Sequence, residues 1–270
     1  MKFKKLIVFT VAALIFTALA VATVYANAAI DTSRVADGLV KYEYDGDLEV
    51  TSIHASLELI GGTRITPRFR VSPAVLPMNL GQGTYEFKVL QKMPDGKGMA
   101  IVEASSVLNT EIDEKLIYTS STMEINFDAS KFAIPSYKKL TDGLEENDAI
   151  NKVYEDVVNN YTYDYDKMKA VVSKTIVDYR PVIDEIYEIK KGICYDYSAV
   201  LGGALRSQGV PVKLCKGYVV DTEVYHAWNE ILVDGKWIVV DSTADAAYAE
   251  AGAPYKFAKD SKKYKATSYF

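Results

Sequence analysis

A cysteine, a histidine and an aspartate follow one another between Lys191 and Asp241, each in a local setting that suits nucleophilic chemistry. Cys194 opens the helix-like stretch KKGICYDYSAVLGGALRSQG, His226 heads the strand-like run YHAWNEILV, and Asp241 ends GKWIVVDST. The chain has only two histidines and two cysteines, so this series narrows function more than any other feature. A thiol with an ordinary pKa of about 8.5 is mostly protonated at neutral pH, and a nucleophilic cysteine needs something that holds the thiolate. A helix starting just after Gly192 and Ile193 would aim unpaired N–H groups and the positive end of its dipole at the sulfur. A histidine brought across from a neighbouring sheet could hold the proton. The chemistry implied is acyl transfer through a thioester.

The elements that must position these groups can be read from punctuation and periodicity. Gly209-Val210-Pro211 stops the cysteine helix, and VKLCKGYVV, YHAWNEILV and KWIVVD follow as three strands, the last two joined by a tight turn at Asp234-Gly235. Pairing around that turn sets 233 opposite 236 and therefore 228 opposite 241. Asp241 is then a diagonal neighbour of His226 on the same face, within reach of the ring. An acid so placed holds a base in one tautomer, as a triad requires.

Upstream, Ile150, Val153, Tyr154, Val157 and Val158 recur at helical spacing in EENDAINKVYEDVVNNY, with Asp142 or a neighbour as the cap. The Tyr-rich turn YTYDYD, a second helical stretch around KMKAVVSKTIVDY, and PVIDEIYEIKKG lead to the cysteine. Earlier still, LEVTSIHASLEL, TYEFKVLQK, MAIVEASSV and KLIYTSSTMEINF alternate with period two, and MPDGKG reads as a hairpin turn. Such short strands predict a β-sandwich. His54 lies on one of them with no cysteine near, and no chemical role is expected of it. The fold class is α+β: a β-rich, sandwich-like domain at 29–138, then a domain at 139–270 with the cysteine at a helix N-terminus packed on an antiparallel sheet carrying the histidine and the aspartate.

Residues 1–28 read as an export signal: Lys2, Lys4 and Lys5, the apolar run Leu6 to Val24, then small residues at Ala26, Ala28 and Ala29. Retained, the same run would serve as a membrane anchor, because it approaches the ~20 residues needed to span a bilayer. Either way a secreted or extracellular location is expected. The full chain carries a formal charge of −5, and losing residues 1–28 removes three lysines and no acid. The mature chain is thus more acidic, which argues against nucleic acid as a partner. The basic tail KDSKKYK reads as a solvated extension.

Two cysteines in an exported chain raise the alternative of a Cys194–Cys215 disulfide. Cys215, however, lies in an alternating apolar run where a lone cysteine is a small buried hydrophobe. The cysteine and histidine spacings match no common zinc pattern, no loop has the regularly spaced acids of an EF-hand, and no motif implies a cofactor.

Three stretches, KKGICYDYSAVLGGALRSQGVPVKLCKGYV, YHAWNEI and GKWIVVDST, closely resemble the core of the transglutaminase-like superfamily, a branch of the papain-like fold found in many secreted bacterial proteins. NNYTYDYDK resembles the segment that precedes the cysteine in that family, and LGQGTYEFKVL is similar to the N-terminal region of secreted Firmicute members. The resemblance implies Cys194 as nucleophile, His226 as general base and acid, and Asp241 as orienter. It also implies an oxyanion site made by the Cys194 N–H and an upstream side chain, for which Tyr163 and Tyr165 are candidates. Asp196, Tyr197, Trp228 and Asn229 match recurring family positions that shape the pocket. Ser198 stands where many relatives have alanine.

The expected activity is attack on a carboxamide or peptide carbonyl of a protein or peptide substrate, with the cell surface or wall as the expected setting, and release of the acyl group to an amine or to water. The alternative is a catalytically idle cell-surface binding or adhesion module.

Overall fold

The computed structural model describes residues 28–45, 53–62, 64–65, 68–69, 73–93, 97–109 and 113–270. The apolar run 6–24, and with it the export reading, lies outside them, as does the tip of the MPDGKG turn.

The first part of the chain supplies β1 (Ala28–Asp31), β2 (Leu39–Tyr44), β3 (Ile53–Leu59), β4 (Arg64–Ile65), β5 (Arg68–Phe69), β6 (Ala74–Pro77), β7 (Gly83–Lys92) and β8 (Met99–Asn109). Among the described residues these form two sheets, one ordered β1-β2-β6 and one β4-β3-β7-β8, with β5 also paired to β3. Alternation drives the layering: in β7, Tyr85, Phe87 and Val89 are buried while Glu86 and Lys88 between them are half-exposed. One apolar cluster takes Tyr42 and Leu76 from the first sheet and Ile53, Ala55 and Val89 from the second. A second joins Val40 to Leu57, Tyr85 and Phe87. The two faces bury each other's apolar rows, which is the sandwich the period-two pattern predicts.

The rest supplies α1 (Glu114–Thr119), α2 (Ala133–Leu140), α3 (Glu146–Asn160), β9 (Thr162–Tyr163), α4 (Tyr165–Val172), α5 (Ile183–Ile189), β10 (Lys191–Gly192), α6 (Cys194–Arg206), β11 (Val212–Val219), β12 (Val224–Val233), β13 (Lys236–Val240), α7 (Ser242–Glu250) and β14 (Tyr264–Tyr269). The sheet order is β13-β12-β11-β14, antiparallel throughout. α6 lies on this sheet with α3 and α5 against its other sides, so nearly all its side chains are buried. Arg206, at its last turn, is buried yet satisfied: its guanidinium donates to the carbonyls of Val212, Ser120 and Phe270.

Several local expectations are corrected. KLIYTSSTMEINF, read as a strand, starts as α1, because Asp113 caps a helical turn by accepting from Lys115 N, and Ile117 and Tyr118 turn inward together. Asp142 does not cap α3; it sits in a turn with Gly143 at φ +74, and Glu145 occupies the cap position. Part of YTYDYD forms β9, which runs parallel to β10. The basic tail is not a free extension: it turns back as β14 and pairs with β11.

Residues 120–127 join the two parts. Met123 N donates to Val75 O of β6, Glu124 is buried against α6, and Ile125 enters the core of the second part.

β14 can approach β11 only because residue 217 is glycine. A Cβ there would lie 2.1 Å from Lys265 O and 2.8 Å from Ala266 Cα. Gly217→Ala is expected to displace β14 at a stability cost of about 1–3 kcal/mol, read as a lower melting temperature with increased proteolysis after Lys262, Lys263 or Lys265.

Among the described residues, no helix is long and apolar enough to cross a membrane.

Candidate active site

Cys194 is the first residue of α6, and Ile193 before it is extended, with φ −95 and ψ 176. Polar bonds to buried carboxylates on either side of the cysteine fix this helix start. Asp196, fully buried, accepts from Ile193 N at 2.9 Å, from Lys167 Nζ at 2.9 Å and from the Tyr179 hydroxyl at 2.5 Å. Gly192 is required here, since a Cβ would lie 2.5 Å from Asp196 Cβ. Tyr195, next to the cysteine, donates its hydroxyl to the buried Glu124, which Lys216 Nζ also reaches at 2.8 Å. Burial alone would push the Glu124 carboxyl up, but the charges of Lys216 and Arg180 outweigh it and hold it below its usual range. Lys216 Nζ also sits 3.7 Å from the centre of the Tyr195 ring. The backbone at Cys194 is thus clamped, while the residue itself remains partly accessible.

His226 lies on β12, paired with Gly217 of β11. Its Nε2 is 2.9 Å from Asp241 Oδ2. That bond commits Nε2 and leaves Nδ1 as the ring nitrogen that can bond to Cys194. The predicted register holds: Val233 faces Lys236 and Asn229 faces Val240, so continuing it sets 228 opposite 241. Asp241, however, does not end a strand. It is the N-cap of α7, with Oδ1 accepting from Ala244 N at 3.0 Å and Oδ2 turned to the imidazole. One carboxylate therefore starts a helix and orients a histidine at once.

Burial disfavours a charged His226, but its bonds to Asp241 and Cys194 outweigh this and raise its pKa to about 10. Asp241 is likewise buried, yet the bond from His226 leads the effects that hold its carboxyl below the usual value. The signs follow from linkage. A group raised on folding contributes fully below its ordinary value of 6.5 and loses that contribution as pH climbs through about 10. Melting temperature is therefore expected to fall between these pH values, by roughly 10 °C, and His226→Gln to remove most of that slope in melts recorded across the range.

The other sequence candidates occupy distinct places. Tyr163 is paired with Gly192, half-buried, and its ring meets that of Tyr165 edge-on at 5.0 Å. Tyr165 itself is 64% exposed. Burial pushes the Tyr163 hydroxyl up to about 12, so it is a neutral donor at neutral pH. Tyr197 and Asp196 are buried behind the site. Trp228 and Asn229 sit on opposite faces of β12. Trp228 is buried on the same strand face as His226, with Cys215 and Val239, its ring 6.5 Å from that of His226 and tilted by only 20°. Asn229 sits between sheet and α6, donating to Ser198 O at 3.1 Å.

Cys194 and Cys215 are both free. Cys215 belongs to the small cluster on the face away from α6, and burial pushes its thiol well up. Among the described residues no group of three His, Cys, Asp or Glu could hold a metal ion.

One residue that sequence reading missed is Tyr264, on β14, whose hydroxyl donates to Asp241 Oδ2 at 2.9 Å. The signal for it lay in the alternation of KYKATSYF, which sets Tyr264, Ala266 and Ser268 on one face.

A helix-borne cysteine facing a histidine held by an aspartate across an antiparallel sheet defines a papain-like, transglutaminase-like core. Residues 136–242 match the profile described as the Transglutaminase-like superfamily. A stretch of 147 residues, 51% of this chain and 40% of the relative, is 29% identical to the UPF0252 protein of Methanocaldococcus jannaschii. The match thus spans about two fifths of that relative's length. Among solved structures, a candidate cysteine protease from Cytophaga hutchinsonii is 12% identical with a TM-score of 0.40, covering 86% of this chain and 83% of its own. Red sea bream transglutaminase is 13% identical with a TM-score of 0.25, covering 76% and 48%.

Proposed function

We propose that the protein is a cysteine acyl-transfer enzyme acting on protein or peptide amides outside the cytoplasm. The observation that carries this reading is the 2.9 Å bond from His226 to Asp241, with Cys194, at a helix start, acting on the same imidazole. In the reaction the Cys194 sulfur attacks the carbonyl carbon of a carboxamide or peptide bond. The oxyanion is received by the Cys194 N–H, with the Tyr163 hydroxyl as the second donor and Tyr165 forming an exposed lip beside it. The imidazolium of His226 gives its proton to the departing amine as the C–N bond breaks, leaving a thioester. His226 then takes a proton from the incoming water or amine, which displaces the sulfur as a thiolate and regenerates the thiolate–imidazolium pair. An amine acceptor gives crosslinking and water gives hydrolysis; the first half-reaction is common to both. The export part of the proposal rests on the sequence of residues 1–28.

The test is to incubate the protein lacking residues 1–28 with a glutamine-containing protein and a fluorescent primary amine, recording incorporation, ammonia release and peptide cleavage together. Incorporation supports transferase and cleavage alone supports protease. Three silent readouts would overturn the enzymatic reading.

A further inference from the structure

Asp241 has two oxygens with different duties, and the second is shared. Oδ2 accepts from His226 Nε2 at 2.9 Å and from the Tyr264 hydroxyl at 2.9 Å, while Oδ1 is committed to the α7 cap. The Tyr264 ring lies 5.2 Å from that of Trp228, which in turn stacks beside His226. β14 therefore touches both the acid and the ring that backs the base.

From this geometry we infer that Tyr264 is a positioning residue of the Cys194, His226 and Asp241 set: its hydroxyl fixes the carboxylate so that Oδ2 faces the imidazole, and shares that oxygen's charge. The inference rests on the acyl-transfer reading of the same site. The hydroxyl proton stays on Tyr264, because burial and the neighbouring Asp241 both disfavour a phenolate. Around the pair stand Cys194 on α6 and Asp245 on α7; Asp245 is itself bonded to Tyr154 and Lys259, and Tyr248 of α7 lies near Tyr264. Tyr264 is thus the neighbour that donates a neutral hydrogen bond to the oxygen His226 uses.

Sharing matters chemically. A carboxylate oxygen with two donors is a weaker partner for an imidazolium than one with a single donor. Tyr264 keeps His226 acidic enough to give up its proton to a leaving amine. Without the hydroxyl, the Asp241 charge concentrates on the imidazolium and its proton is released less readily.

Tyr264→Phe keeps the ring on Trp228 and removes only the donor. The protein's two histidines make His226 assignable by imidazole NMR, with His226→Gln as the reference. The titration of His226 is expected to move up by about half a pH unit or more in Tyr264→Phe, the pH profile of Cys194 alkylation to shift with it, and acyl transfer to fall about ten-fold, with melting temperature nearly unchanged. An unmoved titration and alkylation profile would overturn the inference, whether or not activity and melting temperature fell together. If the wild type showed no acyl transfer, the function reading would fail while titration and alkylation still decided the role of Tyr264.

Discussion

Cys194→Ala is expected to abolish amine incorporation and amide hydrolysis, a loss of at least about 10⁴-fold, because no other group can form the thioester. The fold is expected to survive. Alanine suits the first position of a helix, and α6 is held at this end by Asp196 and Glu124, whose bonds do not involve the sulfur. Melting temperature at pH 6 should therefore change little, and a variant that lost both fold and activity would leave the assignment to the sulfur unsupported. Alkylation supplies the complementary reading: a thiol reagent should modify the native wild type at Cys194 and spare Cys215, which is buried with a raised pKa. Modification of Cys215 first would contradict the arrangement.

Asp241→Asn carries the second large effect, about 10³- to 10⁴-fold in acyl transfer by comparison with known triads. Asparagine is as good an N-cap as aspartate, so its oxygen can keep the bond from Ala244 N and α7 remains seated. Its amide NH₂ then occupies the place of Oδ2 and points donors at His226 Nε2 and at the Tyr264 hydroxyl. The imidazole can answer only by accepting there, which places its proton on Nδ1, toward Cys194, and the base for the thiol is lost. The expected pattern is a large fall in kcat/KM, a His226 titration lowered from about 10, and a melting temperature within a few degrees of wild type at pH 6. Equal loss of stability and activity would show that Asp241 acts through its cap alone.

Much of this site was legible in the chain because it is built from local rules. The Asp234-Gly235 turn, with φ 49 and 74, sets a register that can be counted, and the count placed Asp241 beside His226. Gly192 and Pro211 bracketed α6 in the same way. The misses share a different cause. α1 contains residues that alternate as a strand would; a capping aspartate and the pocket that takes Ile117 and Tyr118 decided the matter, and that pocket is made by residues far along the chain. Alternation in KYKATSYF marks the face of Tyr264 but not its partner, and Glu124 carries no local signal, since each reaches the site across a long stretch of sequence: Tyr264 bonds Asp241, and Glu124 bonds Tyr195.

Glu124 bears on where this protein can be cut. The matched family region begins at residue 136, downstream of the tripeptide Met123-Glu124-Ile125. An excised catalytic fragment made to that boundary would strand Lys216 and the Tyr195 hydroxyl in a buried place with no carboxylate between them. It would also lose Ile125, against which Gly202 packs. In modular terms, the unit that could be transplanted between β-rich partners is not the recognisable core but the core with its upstream leader, and a graft that honours sequence similarity alone divides the helix of Cys194 from its own support.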